Sequence, residues 1–310
     1  KSFSSVMSIP AALNISIDRA TLKDYKRVAH TLALAFEDDP FMNYILNTAH
    51  IKKDKVSKST YKKKKLDLLL AYFEYSVYEC LSINGCVFVI KDNTTELLLD
   101  EMGMAKKHNF PYLGVSLWNH IYGPSVDTGY SSGSSSAGSG SESDEDMSDD
   151  EYFVSEKIGF RSSIHPSYFK FNFLTLLGNC RSKILKDKLP FLTKVRNKVL
   201  IDQLIKKENS KDLDIWYLSD IATLPSMRGK GLGKILIQYV INEHINKLCS
   251  KAFVYLESSN PVNRKFYSKL GFELMTTFSI KYNKYVDSHK VIEADPDNKA
   301  INMDSMVFFP

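Results

Sequence analysis

Apolar and polar positions follow two rhythms along this chain, and the places where one gives way to the other mark its elements. Over Arg19–Asp39, "RATLKDYKRVAHTLALAFEDD", apolar residues recur three and four apart, the spacing of one helix face, with Thr21 as N-cap and Pro40 ending or redirecting the helix. The run Lys62–Lys65 leads into Leu66, Leu69, Leu70, Phe73 and Val77 and reads as the solvated start of a second helix. "GCVFVIKD" and "YLGVSLW" are rich in Val, Ile and aromatic residues and read as strands. Helical spacing returns before Asp212, notably in "LPFLTKVRNKVLIDQLIKKEN".

From Asp214 the rhythm alternates. "DIWYLSDIATLP" predicts a strand stopped by Pro225, "LGKILIQYVINEHINKLC" a helix, and "KAFVYLESS" a strand. "PVNRKFYSKLG" predicts a short helix opened by Pro261 and closed by Gly271, followed by strands in "FELMTTFSIKY" and "DSMVFFP". Such alternation predicts layered α/β or α+β architecture, taken as a single domain over residues 1–310. No internal repeat is visible.

Composition changes this picture in one place. Ser131–Glu151 holds seven acids and no Lys or Arg, so the remainder of a chain whose net charge is +5 carries +12. With so few apolar side chains, residues 125–156 are expected to form a disordered acidic Ser/Gly-rich insertion. Ser143 and Ser148, each with an acid three residues on, fit an acid-directed kinase, although a plain solvated insertion explains them more simply.

The other compositional signals mainly exclude. No stretch reaches the roughly 20 apolar residues of a membrane helix. Aromatics do not interleave with arginines as a single-stranded nucleic-acid platform requires, which argues against nucleic acid as the main ligand. Cys80, Cys86, Cys180 and Cys249 form no CxxC and are expected to be buried thiols of a reducing compartment, cytoplasm or nucleus. Histidines stand at no ligand spacing, so no metal is expected. The chain begins at Lys1, and its first residues lack the layout of a signal peptide.

The strongest chemical signal is the junction "IATLPSMRGKGLGKIL". A phosphate-binding GxxxxGK[ST] loop fails there, because Arg228 replaces the first glycine and Ile235 the hydroxyl residue. The dinucleotide pattern GxGxxG fails at Lys234. What remains is Arg228-Gly229-Lys230-Gly231-Leu232-Gly233, an RxxGxG loop between a strand and the first turn of a helix. Glycines let main-chain amides approach an anion, the helix start favours negative charge, and Arg228, Lys230 and Lys234 add positive charge. A pyrophosphate suits it.

This segment resembles motif A of the GNAT family of N-acetyltransferases, and "LESSNPVNRKFYSKLGFE" resembles motif B. The likeness is clear over about Asp212 to Ile280, with looser echoes in "DRATLKDYKRVAHTLALAFEDDPF" and "GVSLW", and the layout is most similar to fungal single-domain members. It implies a mixed, mostly antiparallel sheet with a splayed strand, flanked by helices on both faces. The acidic insertion and the long helical region before Asp212 depart from the compact family pattern.

The resemblance also implies a site. Acetyl-CoA would lie with its acetyl and pantetheine arm along the backbone of Ile221, Ala222 and Thr223. The amides of Arg228, Gly229, Lys230, Gly231, Leu232, Gly233 and Lys234 would wrap its pyrophosphate, and Asn260, with Asn263 as a second candidate, would hold the arm. Tyr267 matches a tyrosine near the thioester sulfur that protonates the departing thiolate. An amine, of a small molecule or of a protein lysine or N-terminus, would attack the thioester directly; a catalytically silent acyl-CoA-binding module is the other possibility.

The base is harder to place. Family members carry Glu or His where this chain has Ser219 and Tyr217. Asp220 is the nearest carboxylate, but period-two alternation points it away from the face of Ser219 and Tyr217. Glu257 is a further candidate, and a water relay would need neither. Glu37, Asp38 and Asp39 of "FEDDPF" would attract a cationic amine, or simply cap a helix and form a turn.

Overall fold

The computed structural model describes residues 14–54, 56–83, 85–103, 109–122, 173–205, 213–294 and 298–310. The expected acidic insertion at 125–156 lies outside them.

Among the described residues, eight strands form one sheet in the order β1-β2-β3-β4-β5-β8-β6-β7. They are β1 Ile15–Arg19, β2 Cys86–Asp92, β3 Gly114–Tyr122, β4 Ile215–Thr223, β5 Phe253–Ser258, β6 Phe272–Ser279, β7 Lys284–Tyr285 and β8 Asn302–Phe308. Every pairing is antiparallel except β4 with β5. A parallel pair needs a crossover. Here it is α6 (Leu232–Tyr239), extended through a π segment, Val240–Ile245, and a last turn, Asn246–Leu248.

Helices cover both faces. On one, α1 (Tyr25–Ala35) and α3 (Lys58–Ser82) pack Leu32, Leu69 and Phe73 onto Val87, Val89, Val115 and Leu117. Thr21 caps as expected, over a 3-10 turn that leads into α1, and Pro40 opens a new helix, α2 (Pro40–Ile45), with Asp39 as its N-cap. Further along the same face lies α5 (Phe173–Asn197), whose π continuation Lys198–Ile205 buries Val199 and Leu200 against Ile121, Phe253 and Tyr255. The opposite face is covered by α6 and by α7 (Arg264–Lys269), which bury Leu236, Ile237 and Tyr267 with Trp118, Leu218, Leu256 and Met306. The short elements α4 (Asn93–Glu101), α8 (Ser288–Ala294), β1 and β7 complete the fold; the sequence pattern did not predict them.

Two features of β4 position the site. It pairs with β5 only from Ile215↔Phe253 to Leu218↔Leu256; beyond that β5 keeps only its partner on the other edge, β8, through Ser258, and β4 follows β3 alone to Thr223. The strands part at Leu218. The second feature is a register shift: Asn119 faces Tyr217, whereas Leu117 faces Asp220. Ser219 is thus the extra residue of a β-bulge, and the alternation slips by one. Contrary to the sequence expectation, Asp220 lies on the same face as Tyr217.

Candidate active site

The parted strands open a cavity of about 1550 Å³ that reaches from the start of α6 through the sheet to the space beneath α2, α3 and α5. It brings together Ile221, Ala222, Thr223, Arg228, Gly229, Gly231, Leu232, Gly233, Lys234, Asn260, Asn263 and Tyr267 with Asp220 and Glu257. Of the residues expected in the site, only Lys230 is missing from its wall.

The glycine loop is built as an amide cradle. Gly229 and Gly231 have φ of 77° and 79°, where a residue with a Cβ is strained. Gly233 serves another purpose: it is helical, and a Cβ there would stand 3.5 Å from the Phe266 ring, so the missing side chain keeps open the space above the helix start. No side chain caps α6, and its first closed bond is Ile235 N–H to Gly231 O at 3.1 Å. The amides from Gly229 to Lys234 have no acceptor among the described residues. Arg228 differs from expectation, since its amide turns back to Pro225 O (3.4 Å) and its guanidinium donates to Ala35 O (2.7 Å) at the end of α1. It lines the cavity while tying the loop to α1, and its amide is not free for an anion.

Beside the cradle, Ile221, Ala222 and Thr223 pair with Ser116, Val115 and Gly114 along one edge, and their other edge faces the gap without a strand partner. Across the gap, Asn260 Oδ1 caps the next turn by accepting from Val262 N–H (3.1 Å). Asn263 makes no side-chain cap bond and lines the cavity. The Tyr267 ring is buried against Phe266 and Phe272. Burial raises its phenol, the charge of Asp39 adds to this, and the hydroxyl has no protein partner among the described residues.

The carboxylates divide into two kinds. Glu257 accepts from Arg196 Nε (3.0 Å) and Tyr255 OH (2.8 Å) at Oε1, and from Arg196 Nη2 (2.8 Å) and Tyr217 OH (3.2 Å) at Oε2. These four bonds fill a carboxylate's acceptor capacity. Glu257 is a fixed counter-ion, which corrects its candidacy as a base. Asp220 has no cation beside it: burial pushes its carboxyl up to about 6 against the pull of the Ser219 hydroxyl, and the charge of Asp39 pushes further. Asp39 is held by Met42 N–H (2.8 Å) and Ser259 Oγ (2.5 Å), and burial raises it too. Its neighbours point elsewhere, with Asp38 toward Lys65 (3.5 Å) and Glu37 toward Lys62 (3.9 Å). Asp38 and Asp39 both line the cavity, but Asp38 is exposed and only the Asp39 carboxyl is buried at the site, where the cap reading holds for it as well.

Sequence reasoning missed Arg196 and Ser259. Each meets its partner across a long stretch of chain, 61 residues for Arg196 and 220 for Ser259, and no local pattern signals such a contact.

The chain is similar to several known proteins. A family model described as Acetyltransferase (GNAT) family matches residues 198–272. An uncharacterized N-acetyltransferase of Schizosaccharomyces pombe is 26% identical over 256 residues, covering 82% of this chain and 72% of the relative. Among solved structures, a histone acetyltransferase HPA2 and related acetyltransferase from Corynebacterium glutamicum is 15% identical with a TM-score of 0.43, covering 96% of this chain and 97% of that one. Arylalkylamine N-acetyltransferase 2 from Aedes aegypti is 16% identical with a TM-score of 0.43, covering 96% and 99%.

Proposed function

We propose that this chain, whose residues 198–272 match the GNAT acetyltransferase family model, moves an acetyl group from acetyl-CoA to a primary amine by direct attack, with both substrates bound at once. The observation that carries this reading is the parting of β4 from β5 at Leu218, directly in front of an uncapped helix start. The residues fit the coenzyme. Free amides from Gly229 to Lys234 would take its pyrophosphate, the open edge of Ile221 to Thr223 its arm, and Asn263, with the remaining amide nitrogen of Asn260, the arm's polar groups. When bound, acetyl-CoA supplies an activated thioester carbonyl.

The chain supplies proton handling and charge. Asp220 Oδ takes the proton of the incoming ammonium, because it faces the cavity without a counter-ion. Main-chain N–H groups on the open edge of β4 steady the carbonyl oxygen as the C–N bond forms. Tyr267 OH, its phenol raised by burial and still protonated, gives its proton to the sulfur as the C–S bond breaks, and the second proton shed by nitrogen as the amide forms restores the phenol.

Thiol release from acetyl-CoA in the presence of a panel of primary amines tests this. Tyr267→Phe keeps the buried ring, so it should bind acetyl-CoA as the parent does and lose turnover by about 10²–10⁴. No release with any amine, alongside retained coenzyme binding, would establish a silent acyl-CoA-binding module instead.

A further inference from the structure

Granted the acetyl transfer proposed above, the charges facing the opening from the side of α2, α3 and α5 select its acceptor. Two cations stand there and both are fully engaged. Arg196 is held by both oxygens of Glu257. Lys188 Nζ lies 2.7 Å from Asp187 Oδ2 and donates to Lys281 O and Asn283 Oδ1, both at 3.2 Å.

The acceptors there are in the opposite condition. Asp39 and Asp220, from different elements, have no cationic partner among the described residues. Asn119 Oδ1, in the same wall, is wholly buried with no hydrogen-bond partner, while its Nδ2 turns to Ser219 Oγ at 3.4 Å. Burying a charged or polar group without a partner is unfavourable, and such groups in a native cavity call for an explanation. Each of these three is an acceptor, and the two cations on this side, Arg196 and Lys188, are committed to other partners. The missing complement is cationic and rich in N–H. One ammonium engages one carboxylate and leaves the other bare.

We propose that the acceptor is a small aliphatic diamine: its reacting nitrogen passes a proton to Asp220, and its second, cationic nitrogen is held by Asp39. The transfer balances: the ammonium gives one proton to Asp220 before attack, the C–N bond forms as the C–S bond breaks, Tyr267 protonates the thiolate, and the second proton shed by nitrogen as the amide forms restores the Tyr267 phenol. A carboxylate in place of the second nitrogen would bring a third negative charge to the pocket and is rejected.

Acetylation of 1,4-diaminobutane, n-pentylamine and 4-aminobutanoate by the full chain tests the proposal, with calorimetric titration of 1,4-diaminobutane into the coenzyme-free protein as a second readout. The diamine should exceed n-pentylamine in kcat/KM by about tenfold or more, a difference of about 1.4 kcal/mol, with 4-aminobutanoate slowest. Its binding should weaken as salt is added. In Asp39→Asn, which keeps an N-cap acceptor for α2, the ratio should fall toward one because KM for the diamine rises, and the calorimetric binding should be lost. Equal rates for diamine and monoamine, or a variant that slows both equally, would overturn the diamine assignment and leave acetyl transfer intact. If no amine releases thiol, the transfer reading fails, and calorimetry still decides this one: salt-sensitive, Asp39-dependent binding supports it, and no binding overturns it.

Discussion

Asp220 is a carboxylate without a counter-ion, and its protonation states have opposite consequences for catalysis and stability. In the proposed role of base it would act only when ionised, so kcat/KM should fall with unit slope below about pH 6. Asp220→Asn should lose that limb and about 10²–10⁴ in rate. For stability the sign reverses. The carboxyl is raised in the folded chain, so between the ordinary carboxylate range and about 6 the folded state holds the extra proton. That contribution is present at low pH and lost as pH rises through about 6. Melting curves should therefore show Asp220→Asn stabilised over the parent at pH 8 and nearly equal to it at pH 4; equal curves at both would deny the burial. The sequence displays Asp220 and a strand around it, but strict alternation turned the side chain to the wrong face. A bulge adds one residue without a distinctive signature, and Ser219 offers none.

At the scale of elements, α5 and β5 are joined by the Arg196–Glu257 pair, nearly closed to solvent at 9% and 5% side-chain exposure. Burial alone would lower the guanidinium, and the Glu257 carboxylate outweighs it and holds Arg196 above the usual arginine range. Breaking such a pair from one side leaves an uncompensated charge. Arg196→Met should cost about 3–5 kcal/mol in denaturant unfolding. Adding Glu257→Gln should recover most of this, because a neutral amide keeps an acceptor for Tyr217 and Tyr255 without the stranded charge. A double variant no better than the single would show that α5 is held by its apolar face alone. The helical spacing around Arg196 was legible; its reach to β5 was not, because periodicity assigns a residue to an element and says nothing of which strand that element meets.

For the whole molecule, the parted strands set two chemistries face to face: a cradle of main-chain donors at the start of α6, and a set of side-chain acceptors, Asp39, Asn119, Asp220 and Glu257, beneath α2, α3 and α5. The first was legible because its requirements are local, with glycines at positive φ and a strand running into a helix within one stretch of chain. The second is assembled from the α1–α2 connection, β3, β4 and β5, and only tertiary structure joins them. The β4-α6-β5-α7-β6 succession was also legible, from long, clean changes of period. β1, β7, α4 and α8 are too short or too polar to show one.

The most direct measurement is equilibrium binding of acetyl-CoA to the parent chain and to Gly233→Val, read by calorimetry and thermal shift. Position 233 is helical and a Cβ there meets the Phe266 ring at an ordinary 3.5 Å, so the variant should fold while its side chain fills the space above the helix start. The account predicts that acetyl-CoA stabilises the parent by about 2.7 kcal/mol at a hundredfold excess over its dissociation constant, that ATP does not, and that the folded variant loses the effect. Undiminished acetyl-CoA binding by Gly233→Val, or stabilisation of the parent by ATP alone, would contradict it.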